Sequence, residues 1–481
     1  MIGWVIGALF LLAGLAPAED PRLRELIDAD TAEILRRINA VDAYTIPDLE
    51  LRKDPNYAWT PADVEPYSGV KPYKEHFLLQ MQYNGPGRAK PEPEQVDTVK
   101  IGFLGPIIPT VSVATGGKSH DEEALGIKML QGAQLAIEEA NARGGYFRRN
   151  IPFELVVSND NGLWGSSGDE IIKMAYKDRV WAILGSIDGA NTHIAIRVAL
   201  KAEVVMITSG DTDPTFIETN IPWVARVISD DRQQSYLLVD YLIRKQDYKR
   251  IGIIRSSNRY GRFGVREVRD SCRRLGRPVV IEMAYRLGQD DYSLQIERLK
   301  AAKLDAVVHW GNPREAAIIL KQMRAMGMDQ PFFSCDRTIS KDFTGAAGEL
   351  AEGVIAASPW NPDREDPKLD RFREAFRKRF GEEPETYAAH AYDGMNLLIW
   401  AIQVAGLNRA KIRDVIASRT KAWPGVTGDI PFSAAMDDLG EVFLARYEAG
   451  RWRYYSRQDL QIPRGYIPPR DRVSRSLPTE D

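Results

Sequence analysis

The feature that most constrains this chain is a strict alternation of short apolar runs with amphipathic helical stretches, which begins at Val99 and restarts near Gln233. Period-two and apolar runs mark strands at 99–104, 153–157, 181–184 and 204–207, with helices at 129–141, 169–177 and 190–201 between them. The strands are apolar on both faces. A strand tolerates that only in a parallel sheet covered by helices on each side. Gly144-Gly145 stops the first helix, because glycine accepts the left-handed geometry of a helix end. Residues 222–226 break the rhythm. It resumes with helices at 233–245, 264–275, 292–301 and 314–326 and strands at 251–254, 279–283, 306–310 and 331–334. The reading is an α/β chain of two doubly wound lobes. At 481 residues, 44% apolar and 27% charged, there is material for two cores.

A third stretch differs. A strand at 354–357 precedes helices at 367–380 and 388–405, and two runs at 442–447 and 452–455 flank Glu448-Ala449-Gly450 as a hairpin. The Pro- and Arg-rich residues 457–481 form an expected flexible tail. At the amino end, apolar Ile2 to Leu15 followed by Ala16-Pro17-Ala18 reads as a secretory signal peptide over 1–18, cut after Ala18. Its rival, an uncleaved anchor, is disfavoured because the run is shorter than the roughly 20 residues a bilayer needs. Residues 19–98 make an extension. Leu23, Ile27, Ile34 and Ile38 predict one amphipathic helix over 20–43, and a Pro-rich stretch ending in Pro91-Glu92-Pro93-Glu94 reads as a linker or surface brace.

Net charge is -3 with dispersed Lys and Arg, which leaves no basic field for nucleic acid. The five histidines lack metal-ligand spacing, so no metal or other cofactor is expected. Cys272 and Cys335, the only cysteines, read best as buried free thiols. The turn after the first strand, Gly105 to Pro109, has no G-x-G-x-x-G, and no P-loop or G-x-S-x-G elbow is present. Nothing nominates a nucleophile or base, so the expectation is not an enzyme.

Several segments resemble a known family in order and spacing. They are the strand Val99 to Pro106, the helix and stop Gly132 to Gly145, the loop Thr208 to Pro214, Asn258-Arg259-Tyr260-Gly261, and Tyr387 to Asp393. The chain is similar to the type I periplasmic binding proteins of ABC transporters, the branched-chain amino acid or leucine-binding group, over roughly 99–455. The resemblance implies two lobes joined by three crossovers with a ligand cleft at the hinge. Lobe one would take 99–224 and 353–428, and lobe two 225–352 and 429–456. It implies a periplasmic protein that captures a small polar ligand, amino acid or amine-like, for a membrane permease, with no membrane insertion after signal cleavage. A ligand-sensing receptor subunit feeding a signalling system or exported enzyme is the alternative.

Ligands of open α/β sheets bind beyond the carboxyl ends of strands. Gly189 and Ala190 open a helix whose N–H groups suit a carboxylate. By resemblance, Thr212 bonds an amino acid backbone, Tyr260 is a cleft tyrosine, and Asp336 faces the ligand ammonium. Asp211 adds a carboxylate. Leu125, Gly189 and Asn312 depart from the family's Tyr, Ser and aromatic residue. With Asp188 a further candidate, the expected ligand carries an amine or several hydroxyls. Simpler roles stand beside these. Thr212 and Asp211 suit a turn cap, Asp188 a helix cap, Tyr260 a core position, and Asp336 a surface pair with Arg337. Trp164 and Trp310 suit either a cleft wall or a core.

Overall fold

A computed structural model describes residues 21–40, 83, 85–108, 122–160, 164–219, 221–419, 421–433 and 435–462. The expected signal peptide, most of the tail and the side chain of Trp164 lie outside them. The first sheet is wholly parallel, in the order β2-β1-β3-β4-β5. Its strands are β1 Val99–Gly105, β2 Phe153–Asn159, β3 Ala182–Gly185, β4 Val205–Thr208 and β5 Val224–Arg226. β3, β4 and β5 are buried along their whole length, as both-sided helix cover requires. Gly145, at φ 70°, reverses the chain after helix Glu122–Ala142 and returns its N–H to Ala140 O at 3.0 Å.

The second sheet has β6 Ile251–Ser256, β7 Ile281–Tyr285, β8 Ala306–Trp310, β9 Phe332–Ser334 and β10 Ile355–Ser358, extended by the hairpin β13 Phe443–Glu448 and β14 Arg451–Tyr455. Its order is β14-β13-β10-β9-β8-β6-β7, antiparallel only at the hairpin. A two-stranded ribbon pairs β11 Trp423–Pro424 with β12 Asp429–Ile430. In both sheets the strand order reverses about one strand pair, β1/β3 in the first and β6/β8 in the second. That reversal opens a crevice beyond the strands' carboxyl ends.

Two expected lobe boundaries move. The return to the first lobe falls after Ser358 rather than at 353, because β10 pairs with β9 and β13 in the second sheet. The last crossover falls after Met436 rather than at 428. Ile430, Phe432 and Met436 pack into the first core, and Val442 and Leu444 into the second. Helices Pro367–Phe380 and Thr386–Ala405 cover the first lobe, where Phe372 and Phe376 join Leu135 and Ala388. At the hinge, wholly buried Arg226 donates to Asp437 at 2.7 and 2.8 Å, to Asp230 at 3.3 Å and to Asp213 O at 2.8 Å. One guanidinium therefore ties the end of β5 to two of the crossovers.

The extension corrects the single-helix expectation. It forms two helices, Pro21–Leu26 and Ala29–Ala40, because the Asp28 carboxylate accepts from Thr31 N at 2.8 Å and starts a new helix. Ile34, Leu35 and Ile38 enter the first core, and Tyr83 stands edge-on to Trp223 at 4.8 Å. These parts of the extension are a packed brace.

Candidate functional site

Loops at the carboxyl ends of β3, β4, β8 and β9, with the start of helix Arg259–Arg274 after β6, meet along the seam between the lobes. From the first lobe come Ile187 to Ala190 after β3 and Ser209 to Asp213 after β4. From the second come Arg259 and Tyr260, then Asn312 after β8, and Asp336 and Arg337 after β9. Helix Asp231–Asp240 begins at the hinge, and helix Thr386–Ala405 brings Tyr387 from the first lobe.

Asp336 is 1% exposed and accepts two phenols, Tyr260 at 2.7 Å and Tyr387 at 2.5 Å. Burial, and then the Asp336 charge, hold both tyrosine pKa values well above the ordinary range. Asp336 and Arg337 are both buried, so neither stands at the surface as a solvated pair would. Arg337 sets its guanidinium carbon over the Tyr260 ring, 3.7 Å from the centroid, and donates to Asn312 Oδ1 at 2.8 Å and across the seam to Ile187 O at 3.3 Å. Asn312 Nδ2 is buried with no partner among the described residues. A second bond between the lobes joins Asp213 Oδ2 to Arg259 Nε at 2.7 Å. Arg259 also donates to Thr215 Oγ1 at 2.8 Å and contacts His193 Nε2 at 3.3 Å.

Asp231 is the electrostatic anomaly. It is fully buried, and neither carboxylate oxygen has a hydrogen-bond partner among the described residues. Its N–H donates to Thr212 O at 2.8 Å. The hydroxyls of Thr212 and Ser209 are likewise buried without a bond. Burial pushes the Asp231 carboxyl well above the carboxylate range. The Thr212 hydroxyl, close by but outside hydrogen-bond geometry, opposes this, and the charges of Asp336, Asp213 and Asp230 add to it. A buried charge without a counter-charge is costly. Asp231 therefore links Thr212 and Asp336 into one polar centre between the lobes.

Of the residues singled out from sequence, Thr212, Tyr260, Asp336 and Asn312 converge on this seam. Gly189 and half-buried Ala190 border it at the start of helix Gly189–Ala202. Asp211 does not present its carboxylate there. One oxygen takes the Thr192 hydroxyl and the other takes Asp213 N at 3.0 Å, so the turn-capping role holds. Trp310 is fully buried behind Tyr260, with ring centroids 6.3 Å apart. Cys272 and Cys335 are buried thiols not joined in a disulfide. Sequence reasoning missed Asp231, Asp213, Arg259, Arg337 and Tyr387 as site residues. A separate cavity of ≈ 940 Å³ lies at the amino ends of the first sheet, beside the brace and away from this chemistry.

A model of the periplasmic binding protein family matches residues 98–440. This chain belongs to the periplasmic binding protein family. The family is one of solute-binding, extracytoplasmic proteins. The Leu/Ile/Val-binding protein homolog 2 of Brucella abortus (strain 2308) is 27% identical over 334 residues, covering 69% of this chain and 87% of that one. The leucine-, isoleucine-, valine-, threonine- and alanine-binding protein of Pseudomonas aeruginosa is 24% identical over 360 residues, covering 74% and 90%. Among solved structures, the branched-chain amino acid transporter substrate-binding protein LivJ of Streptococcus pneumoniae, in complex with isoleucine, superposes with a TM-score of 0.67 at 25% identity, over 75% of this chain and 99% of that one. No helix among the described residues is long and apolar enough to cross a membrane.

Proposed function

We propose that this periplasmic binding protein is the substrate-binding component of an ABC transporter, exported by a signal peptide cut after Ala18, and that it delivers a small cationic ligand to a membrane permease. The amino acid binding named for the Pseudomonas protein and the isoleucine bound to the Streptococcus protein support the transport role. The observation that carries the ligand's charge is Asp231, a buried carboxylate with two unpartnered oxygens beside the unpartnered hydroxyls of Ser209 and Thr212. An ammonium supplies three donors in the shape those groups lack. Thr212 and Asp231 would hold the ammonium, Tyr260, Asp336 and Tyr387 would close the second lobe over it, and Asn312 would contact its polar far end.

The test is a thermal-shift and calorimetric screen of amino acids, amines and polyols on the mature protein and on Asp231→Asn. A ligand at a hundredfold excess over its Kd stabilises the parent by about 2.7 kcal/mol. Asp231→Asn is expected to lose cation binding by tenfold or more, since a bond to a charged group contributes about 1.5–3 kcal/mol. Its own melting temperature should hold or rise, because the variant no longer buries an ionisable carboxyl. Binding that survives the substitution, or a screen in which only neutral polyols bind, would refute the reading.

A further inference from the structure

We infer that the ligand of this seam lacks an α-carboxylate, so that the chain takes an amine rather than an amino acid. The inference rests on the cation site proposed at Asp231 and narrows its substrate class.

A helix start is a natural place for a ligand carboxylate, and the start of helix Gly189–Ala202 borders the seam. This chain sets its own carboxylate against that place. A Cβ built at Gly189 would lie 3.0 Å from Asp213 Oδ2 and 3.1 Å from Arg259 Nε. The two side chains are themselves paired at 2.7 Å, and Arg259 is further held by Thr215. The pair therefore stands directly over the first residue of the helix. An incoming carboxylate would have to displace Asp213 or lie against it, and the cation beside it is already neutralised.

The charge around Asp231 points the same way. Asp213 and Asp336 both act on Asp231 as like charges. Asp230 acts on it likewise, so a ligand carboxylate would add a fifth acidic group to four, whereas a bare ammonium relieves the repulsion among them. Among the described residues, the unpartnered groups at the hinge and the first-lobe side include the Asp231 oxygens, the hydroxyls of Ser209 and Thr212 and both amide atoms of buried Asn191, a set in which acceptors outnumber the one amide donor and which suits a donor-rich cation. Arg337, the other seam guanidinium, is stacked on Tyr260 and bonded to Asn312 and Ile187 O.

Matched pairs that differ only in the carboxylate test this directly: leucine against 3-methylbutylamine, alanine against ethylamine, and serine against ethanolamine. Each would be titrated calorimetrically into the mature protein and into Asp231→Asn and Asp213→Asn. The expected result is that, in every pair that binds, the amine binds at least tenfold tighter than its amino acid. Asp213→Asn should narrow that gap in favour of the amino acid. An amino acid that matches or exceeds its amine overturns the inference. If Asp231→Asn still abolishes that amino acid's binding, the cation site stands and only the carboxylate exclusion fails. If no cationic compound binds, or Asp231→Asn changes nothing, the cation site and this inference fall together.

Discussion

The hydroxyl of Tyr387, on a helix of the first lobe, donates to the Asp336 carboxylate of the second lobe at 2.5 Å. Both groups are fully buried, so the bond exists only when the lobes are apposed. Tyr260 bonds the other oxygen of the same carboxylate from within the second lobe, which orients it toward Tyr387. The contact is thus a latch whose two halves lie on separate bodies.

Removing one half should loosen closure without harming either lobe. Tyr387→Phe keeps the ring in its core position and deletes only the donor. A bond to a charged group contributes about 1.5–3 kcal/mol, so ligand affinity should fall tenfold or more. Calorimetry reads the loss. Small-angle scattering at saturating ligand should show a larger radius of gyration than the parent. Unchanged affinity and compaction would mean the latch contributes nothing to closure.

Gly189→Ala probes the other bond between the lobes. The new Cβ would press on Asp213 Oδ2 and Arg259 Nε, both at the ends of flexible side chains, so the fold can yield. Alanine is also the better helix former by about 1 kcal/mol in a helix interior. The melting temperature should hold or rise while ligand affinity drops severalfold. A fall in melting temperature with affinity intact would instead place the role of Gly189 in the fold.

What the sequence reveals and what it hides follow from the range of each signal. β4, Val-Met-Ile-Thr, is apolar on both faces and announces its own burial. The glycine at 145 announces a helix stop by its conformational freedom. β10 is equally easy to see as a strand, but nothing in Ile355–Ser358 says which sheet will pair with it. Asp230 and Asp231 look like a doubled helix cap. Asp230 is the cap, accepting from Gln233 N at 2.8 Å, and its neighbour faces the seam. Tyr387 belongs to a recognisable helix start, yet its reach into the other lobe depends on how the lobes meet. Asp211 resembled a ligand group because its loop lines the site, but partners within two residues and on the adjoining helix satisfy it first.

Stability should carry a histidine signature toward acid. Burial holds His309 down to about 3 and His390 to about 4. In the unfolded chain each binds a proton near its ordinary value of about 6.5, whereas the folded protein keeps them neutral to much lower pH. The unfolded state therefore binds more protons between those limits, and the pair's contribution falls as pH drops, by up to roughly 1.4 kcal/mol per unit per histidine. Buried carboxyls such as Asp438, pushed up to about 8, act in the opposite sense by losing stability as pH rises. The comparison must therefore be between parent and variant. His309→Gln should show a stability deficit that shrinks from pH about 6 to about 4.5 and is constant above about 7, read by urea denaturation. A deficit of equal size at all three would show that His309 titrates alike in both states.

The brace offers the sharpest energetic contrast. Arg88, just ahead of the first strand, donates to Asp414 at 2.5 and 3.1 Å in a site where both are nearly inaccessible. Arg413 bonds the same carboxylate at 2.9 Å. Truncating either side is therefore unequal. Arg88→Ala leaves Asp414 a cation, so its cost should sit below the 3–5 kcal/mol typical of a broken buried pair. Asp414→Ala strands two buried guanidinium groups together and should cost at least that full amount. The double variant Arg88→Met with Asp414→Leu removes one partner pair and should recover part of the loss. Thermal unfolding ranks the three. If the two alanine variants melt alike, Arg413 does not share the charge of Asp414, and the brace is held by its apolar contacts at Ile34, Leu35 and Ile38 instead.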